Sequence, residues 1–348
     1  MTAPDAASGA APDAASGAED HGAPVTAAPG ELPGAVRVCV VGCGAVGSLF
    51  AAHLAQLEHV EVFAYDLDRS HVDAINREGL RITGKAHLTG VVHATDDAAA
   101  LPACDFGIVA TKGYLTRPAI EATAHCFAHG HVASVQNGVG NEEVIAEHVA
   151  RVILGTTFPA GHRVAPGVVE MDAEGDTWIG PYREDRSMMP AVHQLADLLT
   201  SAGMHTIALE DARGAQWTKL VFNAATNPIG ALTGLTHGRV CDDRGLRTLV
   251  SGLIAESVAV ADALGIVLDG DPEALVDHAA EVAYDHSASM LQDVAARRRT
   301  EIDSLNGGIA ELARRYGLPT PLNDAITALV QGLETSYGAR AGRERTTQ

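Results

Sequence analysis

The feature that most constrains the fold is a short apolar run that leads directly into a glycine-rich turn. Residues 36–42 read VRVCVVG, a β-branched stretch typical of a strand buried on both faces. The turn GCGAVG spaces Gly42, Gly44 and Gly47 as G-x-G-x-x-G, and AVGSLFAAHLAQ continues with the periodicity of an amphipathic helix. Strand, glycine turn and helix in this order predict the first unit of a dinucleotide-binding domain.

Each glycine has its own role in such a turn. The first allows the tight turn, the second lets the backbone approach a pyrophosphate, and the third lets the helix pack on the strand. The diphosphate then lies at the helix N-terminus, where unpaired N–H groups and the helix dipole favour an anion. A second strand, HVEVFAY, ends at Asp66, a carboxylate that we expect to accept a hydrogen bond from the adenosine ribose.

Strand-like and helical segments alternate up to about residue 210, and the pattern then becomes almost wholly helical. Among the strand-like segments are DFGIVATK and RVILGTT, while VVEMD and DTWIG suggest a short antiparallel piece. We therefore predict an α/β protein, with a Rossmann-type doubly wound parallel sheet over residues 35–210 and an all-helical domain over 211–336. The predicted helices of the second domain lie near 214–227, 243–265, 272–284, 287–317 and 321–334.

The two ends of the chain differ from the middle. The octet APDAASGA occurs twice in succession and contains no large side chain, so we expect residues 1–34 to be a disordered tail. We expect residues 337–348 to be a shorter flexible tail. No apolar run approaches the roughly 20 residues that a helix needs to cross a bilayer. The five cysteines follow no CxxC pattern, which is typical of free thiols in a reducing cytoplasm.

Length and charge narrow the classes of partner. The chain has 348 residues, which favours two domains because single cores stop growing at roughly 250–300 residues. Its 24 Lys and Arg against 44 Asp and Glu give a formal net charge of -20, a field that repels nucleic acid and anionic membranes. The cluster around Cys126 has no second ligand pair at a recognisable spacing, so we predict no metal site. A small molecule is the expected partner.

A polar line runs through the apolar segment WTKLVFNAATNP, where Lys219, Asn223 and Asn227 recur every four residues. An ordinary solvated helix face would carry charges of both signs. One interpretation is a lysine that extends to solvent and two amides that cap nearby backbone. The other is an ammonium that stabilises negative charge on a carbonyl oxygen and supplies a proton, with two amides that hold substrate oxygens. Because Asn227 precedes Pro228, we place it at a helix end.

Five segments resemble, in chain order, the motifs of the ketopantoate reductase family. They are GCGAVG, TKGYLT, QNGVGNEE, WTKLVFNAATNP and SASMLQDVAARRRTEID. The resemblance covers about residues 36–335. It implies an NAD(P)-dependent reduction of a 2-oxo acid to a D-2-hydroxy acid in the cytoplasm, the type reaction being 2-dehydropantoate to pantoate on the route to pantothenate and coenzyme A. A homodimer formed through the helical domain is a further expectation.

The resemblance also implies a role for each matching residue. Lys219 is the catalytic lysine, and Glu301 lies beside the reacting centre, where it orients Lys219 electrostatically. The residues that bind substrate are Asn223, Asn227 and Ser289, with Ser289 on roughly the same helix face as Glu301 if that helix is unbroken. The residues that the resemblance assigns to the cofactor are Gly42, Gly44, Gly47, Lys112, Asn137 and Glu142, and Asp66 joins them through its place at the end of the second strand.

Two departures from the family pattern leave questions open. Members that prefer the phosphorylated cofactor usually carry an arginine at the end of the second strand, where this chain has Tyr65 and Asp66. We therefore favour NADH over NADPH, although Arg69 lies one turn further on and could bind a 2′-phosphate. His286 stands where many members have a neutral residue, which leaves the exact 2-oxo acid open.

Two alternatives to a ketopantoate reductase follow. The first is an NAD-dependent D-2-hydroxyacid dehydrogenase that acts on another branched or aromatic 2-oxo acid. The second is a regulator that senses the dinucleotide without turnover. Lys219 and Glu301 argue against the regulator, because a sensor has no use for a proton donor.

Overall fold

The computed structural model of the chain describes residues 34–346, with side chains up to residue 337. These residues belong to one compact unit. The predicted tail over residues 1–34 lies, apart from Gly34, outside the described residues. Among the described residues, no helix is both long and apolar enough to cross a membrane.

Twelve strands within residues 34–346 form two sheets. They are β1 (Val36–Val41), β2 (Val60–Tyr65), β3 (Leu80–Gly84), β4 (Leu88–Gly90), β5 (His93–Thr95), β6 (Phe106–Val109), β7 (His131–Ser134), β8 (Val152–Thr157), β9 (Ala160–Ala165), β10 (Val168–Ala173), β11 (Thr177–Pro181) and β12 (Thr206–Ala208). The larger sheet has the order β12-β11-β8-β7-β6-β1-β2-β5. Its neighbouring strands are parallel except for the antiparallel pair β8 and β11, so the predicted doubly wound sheet is confirmed.

The smaller sheet has the order β4-β3-β10-β9, and the sequence analysis did not predict it as a separate layer. Its strands are short, and β10 pairs antiparallel with β9 and parallel with β3. The two segments predicted as one antiparallel piece therefore belong to different sheets, because β11 pairs with β8 in the larger one. The smaller sheet packs on the first helix, which also contacts β1 and β2 of the larger sheet.

The rest of the described chain is helical. The helices are α1 (Ala45–Leu54), α2 (Arg69–Glu78), α3 (Thr116–Thr123), α4 (Asn141–Ala146), α5 (Met189–Ser201), α6 (Arg213–Thr233), α7 (His237–Asp242), α8 (Arg244–Ala263), α9 (Pro272–Val282), α10 (Ser289–Ala295), α11 (Asn306–Arg315) and α12 (Pro321–Thr346). From α6 onward no described strand occurs, as the predicted helical domain requires. Helix α12 continues to Thr346. The flexibility expected of residues 337–348 stays a prediction.

Separate apolar cores support the two parts of the fold. One core lies between the sheets and includes Phe50 and Leu195, and another lies on the opposite face of the larger sheet around Phe127. The helical part has its own core, in which α6 contributes Trp217 and α8 contributes Leu253. Each such fully buried side chain stabilises the fold by about 1.5–3 kcal/mol. Helix α6 is therefore anchored by its apolar residues, which hold its polar line in place.

The structure corrects the expectation that Asn227 lies at a helix end. Helix α6 continues through Pro228 to Thr233. Proline has no N–H to donate to the carbonyl of Ala224 four residues earlier. That carbonyl instead accepts a hydrogen bond from Asn306 Nδ2 at 2.8 Å, so a side chain from α11 replaces the missing donor.

The structure also corrects the single helix expected over 287–317, which is two helices, α10 and α11, joined by a turn. Arg297 adopts a left-handed backbone with φ of 51°, which costs a non-glycine residue about 1–2 kcal/mol. The N–H of Arg298 then donates to the carbonyl of Asp293 at 2.8 Å, a bond that ends a helix. Glu301 therefore lies in the turn, and it does not share a helix face with Ser289.

Candidate active site

The glycine turn shows different constraints at its three glycines. Gly42 has φ of 89°, and a Cβ there would lie 2.5 Å from Thr111 Cγ2. A Cβ at Gly47 would lie 2.0 Å from the carbonyl oxygen of Gly42. A Cβ at Gly44, by contrast, would meet no described atom within 4 Å. The fold itself thus requires the first and third glycines, whereas the second borders open space at the N-terminus of α1, which suits a pyrophosphate.

This difference predicts a matched pair of variants. We expect Gly47→Ala to lower the free energy of unfolding by about 1–3 kcal/mol or more, because its methyl group is forced against backbone. We expect Gly44→Ala to change the free energy of unfolding by less than about 0.5 kcal/mol and to weaken dinucleotide binding at least about tenfold. Thermal unfolding and calorimetric titration with NADH measure the two effects. Equal binding by Gly44→Ala and wild type would contradict the pyrophosphate site.

Lys219 lies half-buried on α6, close to the carboxyl end of β8. Its ammonium donates a hydrogen bond to the carbonyl oxygen of Thr157 and lies 5.4 Å from the centroid of the Phe158 ring. Burial lowers the pKa of Lys219 to about 8, and the negative charge of Glu301 opposes this shift. An ammonium with this pKa is mostly protonated at pH 7 and releases its proton readily, as a general acid must.

Glu301 is a buried carboxylate that joins the sheet part to the helical part. Its Oε1 accepts from the N–H of Gly113 at 3.2 Å. Its Oε2 accepts from Asn137 Nδ2 at 3.4 Å and from Lys112 Nζ at 3.5 Å. No described hydrogen bond joins Glu301 to Lys219, so among residues 34–346 it influences Lys219 through charge alone. The structure thus brings together three residues that the sequence analysis selected from three separate motifs.

Asp293 completes this network, and the sequence analysis missed it. The carboxylate is buried on α10, and its Oδ2 lies 2.7 Å from Lys112 Nζ. Its Oδ1 accepts from Arg298. Burial alone would lower the pKa of Lys112, but Glu301 and Asp293 outweigh it, so the pKa is raised. Lys112 is therefore held toward the helical part. The sequence pattern that could have indicated Asp293 is an acidic residue one helical turn after Ser289.

The two asparagines of the polar line are both buried on α6. Asn227 Oδ1 accepts from Thr226 Oγ1 at 3.4 Å. The side chain of Asn223 forms no hydrogen bond with any residue that the structure describes, which leaves its amide available to a ligand. Ser289 is exposed at the start of α10, a helix that packs against α6. These positions are compatible with a substrate held between α6 and α10.

Glu142, whose contact with the cofactor stays a prediction, is buried in the structure. Its side chain is 2% exposed, and Oε1 accepts from Gln216 Nε2 of α6 at 3.2 Å. Burial raises the pKa of Glu142 to about 7. The carboxyl group thus faces α6 inside the protein. The neighbouring residue Asn141 contacts the loop that carries Asn137. Asn141 Nδ2 donates to the carbonyl of Asn137 at 3.1 Å and so orders this loop.

Asp66 lies where the sequence analysis placed it, directly after β2. Its Oδ1 accepts from the N–H of Asp68 at 2.8 Å, and the side chain remains partly exposed. Among the described residues, no hydrogen bond or ion pair joins Arg69 to Asp66. The Arg69 side chain is 81% exposed and lies 4.0 Å from Asp96 Oδ2. The end of β2 therefore presents a carboxylate to the expected adenosine ribose, while the Arg69 guanidinium is directed to solvent.

Comparison of the sequence with known proteins identifies the family to which the chain belongs. The profile described as Ketopantoate reductase PanE/ApbA matches residues 38–184, and the one described as Ketopantoate reductase PanE/ApbA C terminal matches residues 211–334. The 2-dehydropantoate 2-reductase of Pyrococcus horikoshii is 34% identical over 306 residues, which are 87% of this chain and 99% of that protein. This chain belongs to the ketopantoate reductase family.

Solved structures agree with this membership. A PanE/ApbA family ketopantoate reductase from Ralstonia eutropha JMP134 is 30% identical, with a TM-score of 0.79 over 86% of this chain and 99% of that one. D-mandelate dehydrogenase with NADH and anilino(oxo)acetate has a TM-score of 0.80 at 24% identity, over 86% of this chain and 99% of that one, and shares the fold. The predictions of the ketopantoate reductase family, of its fold and of an oxidoreductase that uses a nicotinamide dinucleotide are thus confirmed.

Proposed function

We propose that this chain reduces 2-dehydropantoate to pantoate, with a nicotinamide dinucleotide as the hydride donor. The observation that carries the proposal is Lys219, whose ammonium has its pKa lowered to about 8 on a helix that also presents Asn223 and Asn227. The membership in the ketopantoate reductase family supplies the substrate class, a 2-oxo acid.

The chemistry assigns a task to each group. The bound dinucleotide supplies a hydride to the carbonyl carbon of the 2-oxo acid. Lys219 stabilises the negative charge that develops on the carbonyl oxygen and transfers a proton to it, so that the product is a hydroxyl and the lysine becomes neutral. The lysine regains its proton from solvent. The low pKa of Lys219 makes this transfer easier than it would be from an ordinary lysine.

The surrounding residues orient the substrate. In this proposal Asn223 and Asn227 donate amide hydrogen bonds to the substrate's oxygens, and Ser289 holds its carboxylate. Glu301 keeps Lys219 protonated at neutral pH, since its charge raises the pKa that burial lowers. Because Glu301 also accepts from Asn137 and Lys112, it fixes the two loops that border the expected nicotinamide site.

For the cofactor we infer a preference for NADH. The carboxylate of Asp66 can accept a hydrogen bond from the 2′-hydroxyl of NADH and repels the 2′-phosphate of NADPH. The partial exposure of Asp66 at the end of β2 supports this assignment.

A substrate panel tests the proposed function. We expect 2-dehydropantoate to have the highest kcat/KM among branched and aromatic 2-oxo acids. The absorbance of NADH and of NADPH measures the turnover of each. A dehydrogenase for another 2-oxo acid would instead favour a different member of the panel by about tenfold or more. A sensor would bind the dinucleotide and reduce none of them, and either result would replace the proposed function.

A further inference from the structure

The hairpin of β9 and β10 is fastened to the glycine turn by a buried histidine. His71 is fully buried on α2, and its Nδ1 accepts from the N–H of Gly167 at 2.9 Å. Because Nδ1 accepts, Nε2 carries the hydrogen and donates to the carbonyl oxygen of Cys43 at 2.9 Å. The imidazole thus joins the tip of the hairpin to the turn between Gly42 and Gly44. The position of β9 relative to the expected dinucleotide is fixed by this contact.

Strand β9 carries an arginine to the end of β2. Arg163 lies opposite Val169 in the hairpin, and its Nη2 is 2.8 Å from Asp68 Oδ2. Asp68 caps α2 by accepting from the N–H groups of Ser70 and His71. Its own N–H donates to Asp66 Oδ1, so Asp66, Asp68 and the guanidinium form one connected group. The end of β2 is where a dinucleotide-binding domain contacts the adenosine ribose.

The charge of Arg163 reaches the interior of the glycine turn. Burial lowers the pKa of His71, and Arg163 lowers it further. Burial raises the pKa of the Cys43 thiol to about 12, and Arg163 acts in the opposite direction. A guanidinium that affects both groups lies within electrostatic range of the turn and of the end of β2. Its side chain is 41% exposed, so a ligand can reach it.

Arg69 does not offer the same arrangement. It is 81% exposed, lies beside Asp96 at 4.0 Å, and no described hydrogen bond fixes it. Arg163, by contrast, is held by a strand, by the hairpin contact with His71 and by its ion pair with Asp68. A guanidinium held in one place can form two parallel hydrogen bonds with a phosphate at little further cost in entropy.

We propose that Arg163 binds the 2′-phosphate of a phosphorylated nicotinamide dinucleotide, and that it, rather than Arg69, determines how well this chain uses NADPH. The proposal rests on the proposed function only in requiring a nicotinamide dinucleotide. Asp66 makes NADH the preferred cofactor, and Arg163 keeps NADPH usable beside it. Asp68 competes with the phosphate for the guanidinium and so limits the affinity.

Calorimetric titration of the full chain with adenosine 2′,5′-bisphosphate and with 5′-AMP tests the proposal without turnover. We expect Arg163→Gln to lower the affinity for the bisphosphate at least about tenfold and to change the affinity for 5′-AMP by no more than about twofold. Arg163→Lys keeps the charge and should retain part of the affinity for the bisphosphate. Arg69→Gln is the matched control and should change neither. The proposal would be overturned if Arg163→Gln lowered the affinities for both ligands equally or left the affinity for the bisphosphate unchanged. It would also be overturned if Arg69→Gln selectively lowered the affinity for the bisphosphate.

A second variant tests the role of Asp68. Asn can cap α2 as Asp does, so Asp68→Asn frees the guanidinium without removing the cap. We expect it to raise the affinity for the bisphosphate several-fold, and we expect most of this gain to be lost in Asp68→Asn/Arg163→Gln. A gain of the same size in the double variant would show that Arg163 is not the phosphate ligand. Because these titrations involve no 2-oxo acid, a failure of the proposed reaction and a failure of this proposal give different results.

Discussion

We expect Lys219→Ala to lower turnover by about 10²–10⁴ while the affinity for NADH stays within about twofold. The loss has two physical sources, since the variant lacks both the charge that stabilises the carbonyl oxygen and the proton that it receives. The affinity for the dinucleotide should persist because Lys219 contacts the end of β8 and not the glycine turn. Stopped-flow measurement of a single turnover and calorimetric titration with NADH separate the two quantities.

The chain offers a matched control at Lys85, an exposed lysine after β3. Lys85→Ala removes the same charge and should leave turnover unchanged. Wild-type turnover in Lys219→Ala would show that another group donates the proton, and the mechanism would then be wrong.

The pH dependence follows from the pKa of Lys219, which burial lowers to about 8. The ammonium form is present below that pH and is lost above it. Reduction should therefore be constant up to about pH 7 and fall tenfold per unit of pH above about pH 8. Oxidation of the hydroxy acid needs the neutral amine, so it should rise with pH up to about pH 8 and be constant above it. The charge of Glu301 raises this pKa, so Glu301→Gln should move the fall in reduction to lower pH. A purely structural loss would lower the rate without moving the profile.

Local patterns predicted those parts of the fold that depend on neighbours in the sequence. The glycine turn requires a strand before it and a helix after it, and β1 and α1 occur where the spacing indicated. The spacing of Lys219, Asn223 and Asn227 defines one face of a helix, so the structure places them on successive turns of α6. Their chemistry left two interpretations open, a structural one and a catalytic one, and the resemblance to a family favoured the catalytic one.

Other parts of the fold depend on residues far away in the sequence. The rule that a helix ends before a proline fails at Pro228 because Asn306 hydrogen-bonds the freed carbonyl of Ala224. The periodicity over 287–317 continues across Arg297, whereas α10 ends at Ala295 with a left-handed Arg297 and a bond from the N–H of Arg298 to Asp293.

The candidate active site also depends on contacts between residues that are far apart in the sequence. The hydrogen bond from Gln216 of α6 to Glu142 joins residues 74 positions apart, so no local pattern could indicate it. Arg69 was the nearest arginine along the chain to Asp66, whereas the structure brings Arg163 to the same end of β2 through a second sheet that had no strong pattern of its own. Proximity in sequence therefore indicated the carboxylate that we propose for the ribose site, but it did not indicate the cation that we propose beside it.

The second large effect is expected at Asp66. Asp66→Asn keeps the oxygen that accepts from the N–H of Asp68 and removes the negative charge. NADH then loses a hydrogen bond to a charged acceptor, worth about 1.5–3 kcal/mol, while NADPH is freed from repulsion with its 2′-phosphate. We therefore expect the ratio of kcat/KM for NADPH to that for NADH to rise at least about tenfold, measured with both cofactors at fixed ionic strength because salt screens the repulsion.

The double variant Asp66→Asn/Arg163→Gln separates the two charges at this end of β2. If Asp66 repels the 2′-phosphate and Arg163 attracts it, the increase in the NADPH-to-NADH ratio of kcat/KM seen in Asp66→Asn should become about tenfold smaller when Arg163 is also replaced. The control Asp66→Asn/Arg69→Gln should keep the full increase. A wild type that already prefers NADPH, together with an unchanged ratio in Asp66→Asn, would show that Asp66 does not contact the ribose. The preference for NADH inferred from that carboxylate would then be wrong, because the carboxylate would be too far from the 2′ position to act on either cofactor.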